Sequence, residues 1–233
     1  MWSLLEDSGV AVRFLAPLEQ QLTGRSRRVS WAQLEQQLSS TRVLVIPGGR
    51  DLPYLEAILQ GDRVPRLQEW VQQGGVVLAL CAGAYFVSTS IVFDGGGPLE
   101  VTGERPLRWI QGRAVGPMPW AAPFAYDDWR GARVVSLQTI WSKAPLRAVY
   151  YGGCTWVELQ SGDVLARYPC GAPAIVQQAV GRGYVVACGA HPEWPLDELP
   201  PEWRESDHSR ALLWQLLDQH MEALCTHCMS ALV

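Results

Sequence analysis

Cys81 stands at the end of an apolar run and before three small residues, in the segment LALCAGAYF. A thiol on a sharp turn between a strand and a helix can act as a nucleophile, and small neighbours are needed there because the turn is crowded. A helix that begins after the cysteine would also favour the thiolate and offer backbone N–H groups to an anion. The alternative is a small apolar residue in a core, since free cysteines are often buried. The segment alone does not decide between these two roles.

Two other segments place glycines or titratable groups directly after apolar runs. VIPGGRDLPY contains Gly48 and Gly49, and glycines at the end of a strand let a backbone N–H approach a negatively charged oxygen. CGAHPEW contains His191 and Glu193, a pair in which the carboxylate can orient an imidazole that takes a proton from a thiol. An ordinary turn and an ordinary loop are the alternatives for these two segments.

Strands and helices alternate around these segments. Continuous runs of Val, Leu and Ile predict strands buried on both faces at 42–49 and 76–80, and a shorter run predicts a strand at 10–15. Apolar residues at helical spacing predict helices at 64–75 and 207–225, and CAGAYFVSTS is expected to open a further helix. This order predicts an α/β fold with a mainly parallel central sheet flanked by helices.

The middle of the chain differs in composition. Residues 93–129 are rich in Gly, Pro and Trp, which predicts an insertion of loops and short strands. Further β segments are predicted at 147–159, 163–168 and 174–191, the last as a hairpin that leads to a buried strand. No repeat or low-complexity linker divides the sequence, so we expect a single domain over residues 1–233.

Composition and charge exclude several classes of protein. The chain of 233 residues is 48% hydrophobic and 18% charged, as in an ordinary globular protein, and its net charge of −4 does not favour nucleic acid as a partner. Lys143 is the only lysine, which excludes a P-loop and disfavours Schiff-base chemistry. No apolar run approaches the roughly 20 residues that span a bilayer, and the N-terminus lacks the features of a signal peptide. The six cysteines do not have the spacing of a disulfide scaffold, so we expect a soluble, cytoplasmic protein.

The three segments together resemble the class I glutamine amidotransferase superfamily, in which a Cys–His–Glu triad hydrolyses an amide through a thioester. A closer resemblance is to the amidotransferase-like domain at the N-terminus of fungal-type biotin–protein ligases, which also occurs as stand-alone bacterial proteins. It covers roughly residues 40–195 and rests on seven motifs in this order: VIPGGRDLPY, CAGAYF, GGPLEV, AVGP, VYYGG, VLARY and GAHPEW. The resemblance implies the flavodoxin-like fold of that superfamily. Its usual first strand is not found, so either the sequence begins within the fold or residues 10–15 have a changed role.

The resemblance also implies a site. Cys81 matches the nucleophile, His191 the general base and Glu193 the residue that orients it. Gly49 and the N–H of Ala82 match the positions that bind the oxyanion.

Four neighbours of these residues are further candidates for the site. Gly48 lies in the loop expected at the oxyanion, and Arg50 and Asp51 in the same loop could meet a polar substrate. Tyr85 could line the pocket or pack under the turn at the cysteine.

Other features predict neither a ligase domain nor a metal site. The KWPND segment of a ligase catalytic domain is absent, and TGRSRRVSW lacks glycines of the corresponding loop. CTHC at 225–228 has metal-ligand types, but a structural zinc normally takes four ligands, and we predict no metal or cofactor. Asp127 and Asp128 are expected in a solvated turn.

The sequence therefore predicts attack by a cysteine thiolate on an amide or acyl carbon of a small molecule. The glutamine-binding residues of the superfamily are not recognisable, so the substrate stays open. The alternative is a non-catalytic binding or regulatory module that keeps the fold. A protein partner or a homodimer is compatible with the missing first strand, and a membrane is not expected.

Overall fold

The structure is a computed structural model that describes residues 12–15, 28–29, 36, 38–122 and 131–194. Its strands are, in chain order, β1 Val12–Leu15, β2 Arg28–Val29, β3 Val43–Ile46, β4 Val76–Leu80, β5 Ser88–Phe93, β6 Val101–Glu104, β7 Ile110–Gly116, β8 Arg133–Thr139, β9 Leu146–Tyr150, β10 Thr155–Val157, β11 Asp163–Arg167, β12 Pro173–Val180 and β13 Gly183–Cys188. Its α-helices are α1 Leu52–Ile58, α2 Arg63–Gln72 and α3 Ala82–Phe86, and short 3-10 helices lie at Leu38–Ser40 and Pro119–Ala121.

A nine-stranded sheet in the order β2-β1-β3-β4-β13-β12-β11-β8-β9 forms the centre of the fold. The first five of these strands are parallel to one another, and the other four continue the sheet antiparallel. The predicted α/β fold is therefore confirmed, with a mixed sheet. The position beside β3 belongs to β1, which comes from the strand predicted at 10–15.

The central strands are buried on both faces, which explains their continuous apolar sequences. Val43 and Val45 of β3 pack in one core, whereas Leu44 and Ile46 pack in a second core on the opposite face of the sheet. This alternation follows from the two-residue period of a strand. The helices α1 and α2 cover one face through an apolar set that consists of Tyr54, Ile58, Leu67, Trp70 and Val71.

The insertion predicted to be rich in loops contributes to a second sheet, in the order β10-β7-β5-β6. Its strand β5 begins two residues after α3 ends, because Val87 and the following β-branched residues favour a strand over a longer helix. The helix expected after Cys81 therefore has only five residues. The turn that carries Cys81 leads through α3 directly into the second sheet.

Several predicted features lie outside the described residues. These are the carboxylate pair Asp127 and Asp128, the helix at 207–225 and the CTHC segment at 225–228. Within the residues that the structure describes, no helix is long and apolar enough to span a membrane.

Gly83 allows α3 to lie directly against β3. A Cβ atom at this position would collide with the main-chain oxygen of Ile46, which cannot move without distorting the strand. We expect Gly83→Ala to lower the free energy of unfolding by about 1–3 kcal/mol, although alanine is the better helix former. Urea denaturation followed by circular dichroism measures this difference.

The matched control is Gly95→Ala, because a Cβ there would meet only a methyl group of Val92. We expect a much smaller loss from this substitution. Equal losses from the two substitutions would mean that the approach of α3 to β3 does not limit stability.

Candidate active site

The loops after three neighbouring parallel strands meet at one edge of the central sheet. In the register of β3, β4 and β13, Ile46 lies opposite Ala79, and Ala79 lies opposite Ala187. The backbone N–H of Cys81 donates a hydrogen bond to the carbonyl of Cys188, at 2.9 Å, so the pairing continues beyond β4. The carboxyl ends of parallel strands are where open α/β sheets bind ligands.

Cys81 has backbone angles that are unusual for a residue with a side chain. Its φ is 47° and its ψ is −104°, and such geometry costs on the order of 1–3 kcal/mol unless its surroundings impose it. The carbonyl of Cys81 accepts hydrogen bonds from the N–H groups of Ala84 and Tyr85, which start α3. The sharp turn expected from LALCAGAYF is present, and the side chain is 6% exposed.

His191 and Glu193 form a hydrogen-bonded pair on the loop after β13. The imidazole Nδ1 lies 2.7 Å from Oε1 of Glu193, and the two side chains are 7% and 12% exposed. The main-chain N–H of His191 donates to the carbonyl of Val149, at 2.7 Å. The ring of Trp194 meets the imidazole edge to face, with 5.2 Å between the ring centroids. These contacts give the imidazole a defined orientation.

The carbonyl oxygen of Tyr151 lies between the two reactive side chains. It is 3.5 Å from Sγ of Cys81 and 3.2 Å from Nε2 of His191. A carbonyl and a carboxylate can only accept hydrogen bonds, so each ring nitrogen that carries a proton can donate to one of them.

Electrostatics agree with a protonated His191. Burial acts to lower the pKa of the imidazole, but the negative charges of Cys81 and Glu193 and hydrogen bonds to both outweigh it. The pKa of His191 is therefore raised well above its usual 6.5.

Three tyrosine hydroxyls hold the main chain around Tyr151. Tyr85 lies 3.2 and 3.0 Å from the carbonyls of Gly152 and Gly153, Tyr150 donates to Gly153 at 2.7 Å, and Tyr168 donates to the carbonyl of Cys154 at 3.0 Å. Burial raises the pKa of all three phenols, so they keep the protons that they donate. Tyr85 thus packs under the turn at Cys81, which was one of the two roles considered for it.

The two glycines after β3 lie at the same edge. A Cβ at Gly48 would be 2.7 Å from Cε1 of His191 and 3.4 Å from Cβ of Cys81, so only a glycine leaves room for the imidazole. Gly49 is exposed and has a φ of 134°, a region that favours glycine. Ala82 is the first residue of α3 and is 4% exposed. Gly48 therefore lies near Cys81 and His191, Ala82 follows Cys81 in the chain, and Gly49 follows Gly48.

The glycine loop, residues 47–51 between β3 and α1, contains two charged residues with different environments. Arg50 is exposed. Asp51, a candidate for contact with a polar substrate, is 8% exposed, and its carboxylate is bound to the buried guanidinium of Arg105. The carboxylate of Asp51 therefore binds another residue of the protein.

Sequence reasoning missed Arg105 and Tyr151. Arg105 is 54 residues from Asp51, and a buried arginine has no signature that separates it from a surface one. Tyr151 acts through its main chain, which no side-chain pattern reveals, although VYYGG was among the motifs. Among the described residues, no cluster of three His, Cys, Asp or Glu side chains could hold a metal ion.

Comparisons of the sequence with known proteins give a consistent result. The family model described as "Biotin-protein ligase, N terminal" matches residues 28–233. A biotin–protein ligase of Schizosaccharomyces pombe is 34% identical over 173 residues, which are 70% of this chain and 27% of the ligase. An uncharacterized protein of Chlamydia muridarum is 35% identical over 162 residues, which are 66% of this chain and 61% of that protein. This chain thus spans less than two thirds of the length of either relative.

A comparison with solved structures supports the fold. A crystal structure of a glutamine amidotransferase superposes with a TM-score of 0.56 and covers 78% of this chain and 90% of its own. The two sequences are 20% identical, so the likeness concerns the fold alone.

Glu193→Gln tests the electrostatic coupling at His191. The substitution removes a charge and a charged hydrogen bond that raise the pKa of His191, while burial continues to lower it, so we expect the pKa to fall. A raised pKa in the folded state adds stability that is fully present below pH 6.5 and is lost as the pH rises through the folded-state value. Relative to the unmodified protein, Glu193→Gln should therefore lose the most stability below pH 6.5.

NMR titration of histidine-labelled protein measures the pKa, with His191→Gln used to assign the signal. Glu69→Gln, an exposed carboxylate on α2, is the control and should leave the titration unchanged. A midpoint for Glu193→Gln at or above that of the unmodified protein would contradict the coupling.

Proposed function

The chain belongs to the family of biotin–protein ligase N-terminal domains, and on this premise we propose that it is a cysteine-dependent amidohydrolase. The proposal rests on one observation, which is that a strained Cys81 stands next to a hydrogen-bonded pair of His191 and Glu193. Strain of this kind persists where the surrounding structure imposes it, and it is concentrated at functional sites.

The first half of the reaction forms a thioester. His191 takes the proton of the Cys81 thiol, the sulfur attacks the carbonyl carbon of an amide, and the carbonyl oxygen becomes an oxyanion. The C–N bond then breaks as His191 gives its proton to the nitrogen, which leaves as ammonia or an amine. Glu193 keeps Nδ1 protonated and the ring oriented during this transfer.

The second half of the reaction returns the thiol. Water loses a proton to Nε2 of His191 and adds to the thioester carbon, and the C–S bond breaks with the proton going to sulfur. The net change is an amide and water converted to a carboxylic acid and an amine. No other reactant is needed.

The N–H groups of Gly49 and Ala82 are the proposed donors to the oxyanion. Ala82 directly follows the nucleophile, and a Cβ at Gly48 in the glycine loop would meet both reactive side chains. Donors that are aimed at a developing oxyanion are each worth roughly 10²–10³ in rate. The half-buried rings of Tyr151 and Trp194, 6.2 Å apart, form an apolar wall beside His191 and suit a small-molecule substrate.

We also propose that the protein works in a reducing compartment such as the cytoplasm. The four cysteines in the described part of the chain are free, and three of them are buried. The proposed nucleophile requires a thiol that is not oxidised.

Alkylation by iodoacetamide, with peptide mapping of each cysteine, tests the nucleophile. We expect Cys81 to react on the order of ten times faster than the exposed Cys170, although Cys81 is almost buried. Cys154 and Cys188 should react slowest, because burial raises the pKa of both thiols. His191→Gln should remove the advantage of Cys81.

The control is Cys170→Ser, which should leave the rate at Cys81 unchanged. A rate at Cys81 no greater than that at Cys170 would rule out the proposed nucleophile. The non-catalytic binding module, with Cys81 as a wall of its pocket, would then be the better interpretation.

A further inference from the structure

Asp51 and Arg105 form a buried ion pair next to the proposed site. Nε and Nη2 of Arg105 lie 2.7 and 2.6 Å from the same carboxylate oxygen, Oδ2 of Asp51. The side chain of Asp51 is 9% exposed, and that of Arg105 is 2% exposed. Nε donates a hydrogen bond to that oxygen, and the rigid, planar guanidinium keeps its charge beside it.

The pair connects the loop after β3 to the second sheet, which the chain enters through the turn at Cys81 and α3. Asp51 is the last residue of the glycine loop, and its carbonyl accepts the N–H of Leu55 at the start of α1. Arg105 directly follows β6, and its N–H donates to the carbonyl of Thr89 in β5, the strand that continues from α3. Nη1 of Arg105 also donates to the carbonyl of Glu104, at 3.0 Å. The ion pair therefore links the glycine loop to the second sheet.

Stability alone is a poor reason for such a pair. Removing two charges from water costs several kcal/mol, and well-packed apolar residues in place of a buried ion pair are often as stable or more so. Burial of Asp51 raises the pKa of its carboxyl even though Arg105 acts to lower it. A pair with little net benefit to stability still holds its two segments at a defined distance.

We propose that Arg105 is a positioning residue, which through Asp51 holds the glycine loop at the distance from Cys81 where its N–H groups meet the oxyanion. This inference rests on the proposed function, and Arg105 itself does not touch the substrate. The loop has little freedom to compensate, because the space beside Gly48 is taken: a Cβ there would be 2.7 Å from Cε1 of His191 and 3.4 Å from Cβ of Cys81. A displacement of about 1 Å at a catalytic group can cost roughly 10² in rate.

Two reactions of the same thiol separate positioning from general damage. Acylation by p-nitrophenyl acetate passes through a tetrahedral oxyanion and needs the loop, whereas alkylation by iodoacetamide is a direct displacement that forms no oxyanion. We expect Arg105→Met to lower the acylation rate about 10- to 100-fold and to change the alkylation rate at Cys81 less than about threefold. Arg105→Lys, which keeps the charge but not the rigid, planar guanidinium, should lie between.

The control variant is Arg113→Met, which removes an arginine of the second sheet from an exposed ion pair with Glu158. We expect it to change neither rate. Cys81→Ala gives the background, and acylation that is unchanged in this variant would overturn the proposed function itself.

With acylation dependent on Cys81, the result for Arg105 decides the inference separately. Equal losses of acylation and alkylation, or no loss of either, would overturn the positioning role. If Arg105→Met does not fold, the ratio of the two rates in Arg105→Lys decides: a selective fall in acylation supports positioning, and an unchanged ratio overturns it.

Discussion

The hydrogen bond from the N–H of Cys81 to the carbonyl of Cys188 is the interaction on which the candidate site depends. It extends the pairing of β4 and β13 one residue past the end of β4, so the chain must turn sharply at that point to leave the sheet. The positive φ of Cys81 follows from this requirement, and β13 in turn brings His191 to the same edge. One ladder of backbone bonds thus sets the distance between two side chains that are 110 residues apart in the sequence.

Glycines let the surrounding loops close around this ladder. A Cβ at Gly48 would meet the imidazole, one at Gly83 would meet β3, and one at Gly153 would collide with the carbonyl of Gly189. The last contact brings the segment that follows β9 against the loop after β13. It is therefore backbone packing, as much as side-chain chemistry, that places the Tyr151 carbonyl beside His191.

The sequence predicted those parts of the molecule that depend on local pattern. The apolar runs of β3 and β4 and the hairpin of β12 and β13 are strands, since such runs bury both faces of a sheet. The His191–Glu193 contact was predictable because the two residues are two positions apart on one loop. The ion pair of Asp51 and Arg105 was not, because its partners are distant in sequence and only the packing of two sheets makes them neighbours. The antiparallel half of the sheet was not predicted for the same reason, since the alternation of apolar and polar residues along a strand does not specify its partner strand.

The Tyr151 carbonyl has a consequence for mutagenesis. It belongs to the main chain, so every amino acid at this position supplies it, and a scan of side chains would pass over the group that contacts both Cys81 and His191. Selection can act on it only indirectly, through the glycines and tyrosine hydroxyls that orient the peptide. Replacing the following peptide bond by an ester would weaken this acceptor without altering any side chain, which makes backbone chemistry the direct way to perturb it.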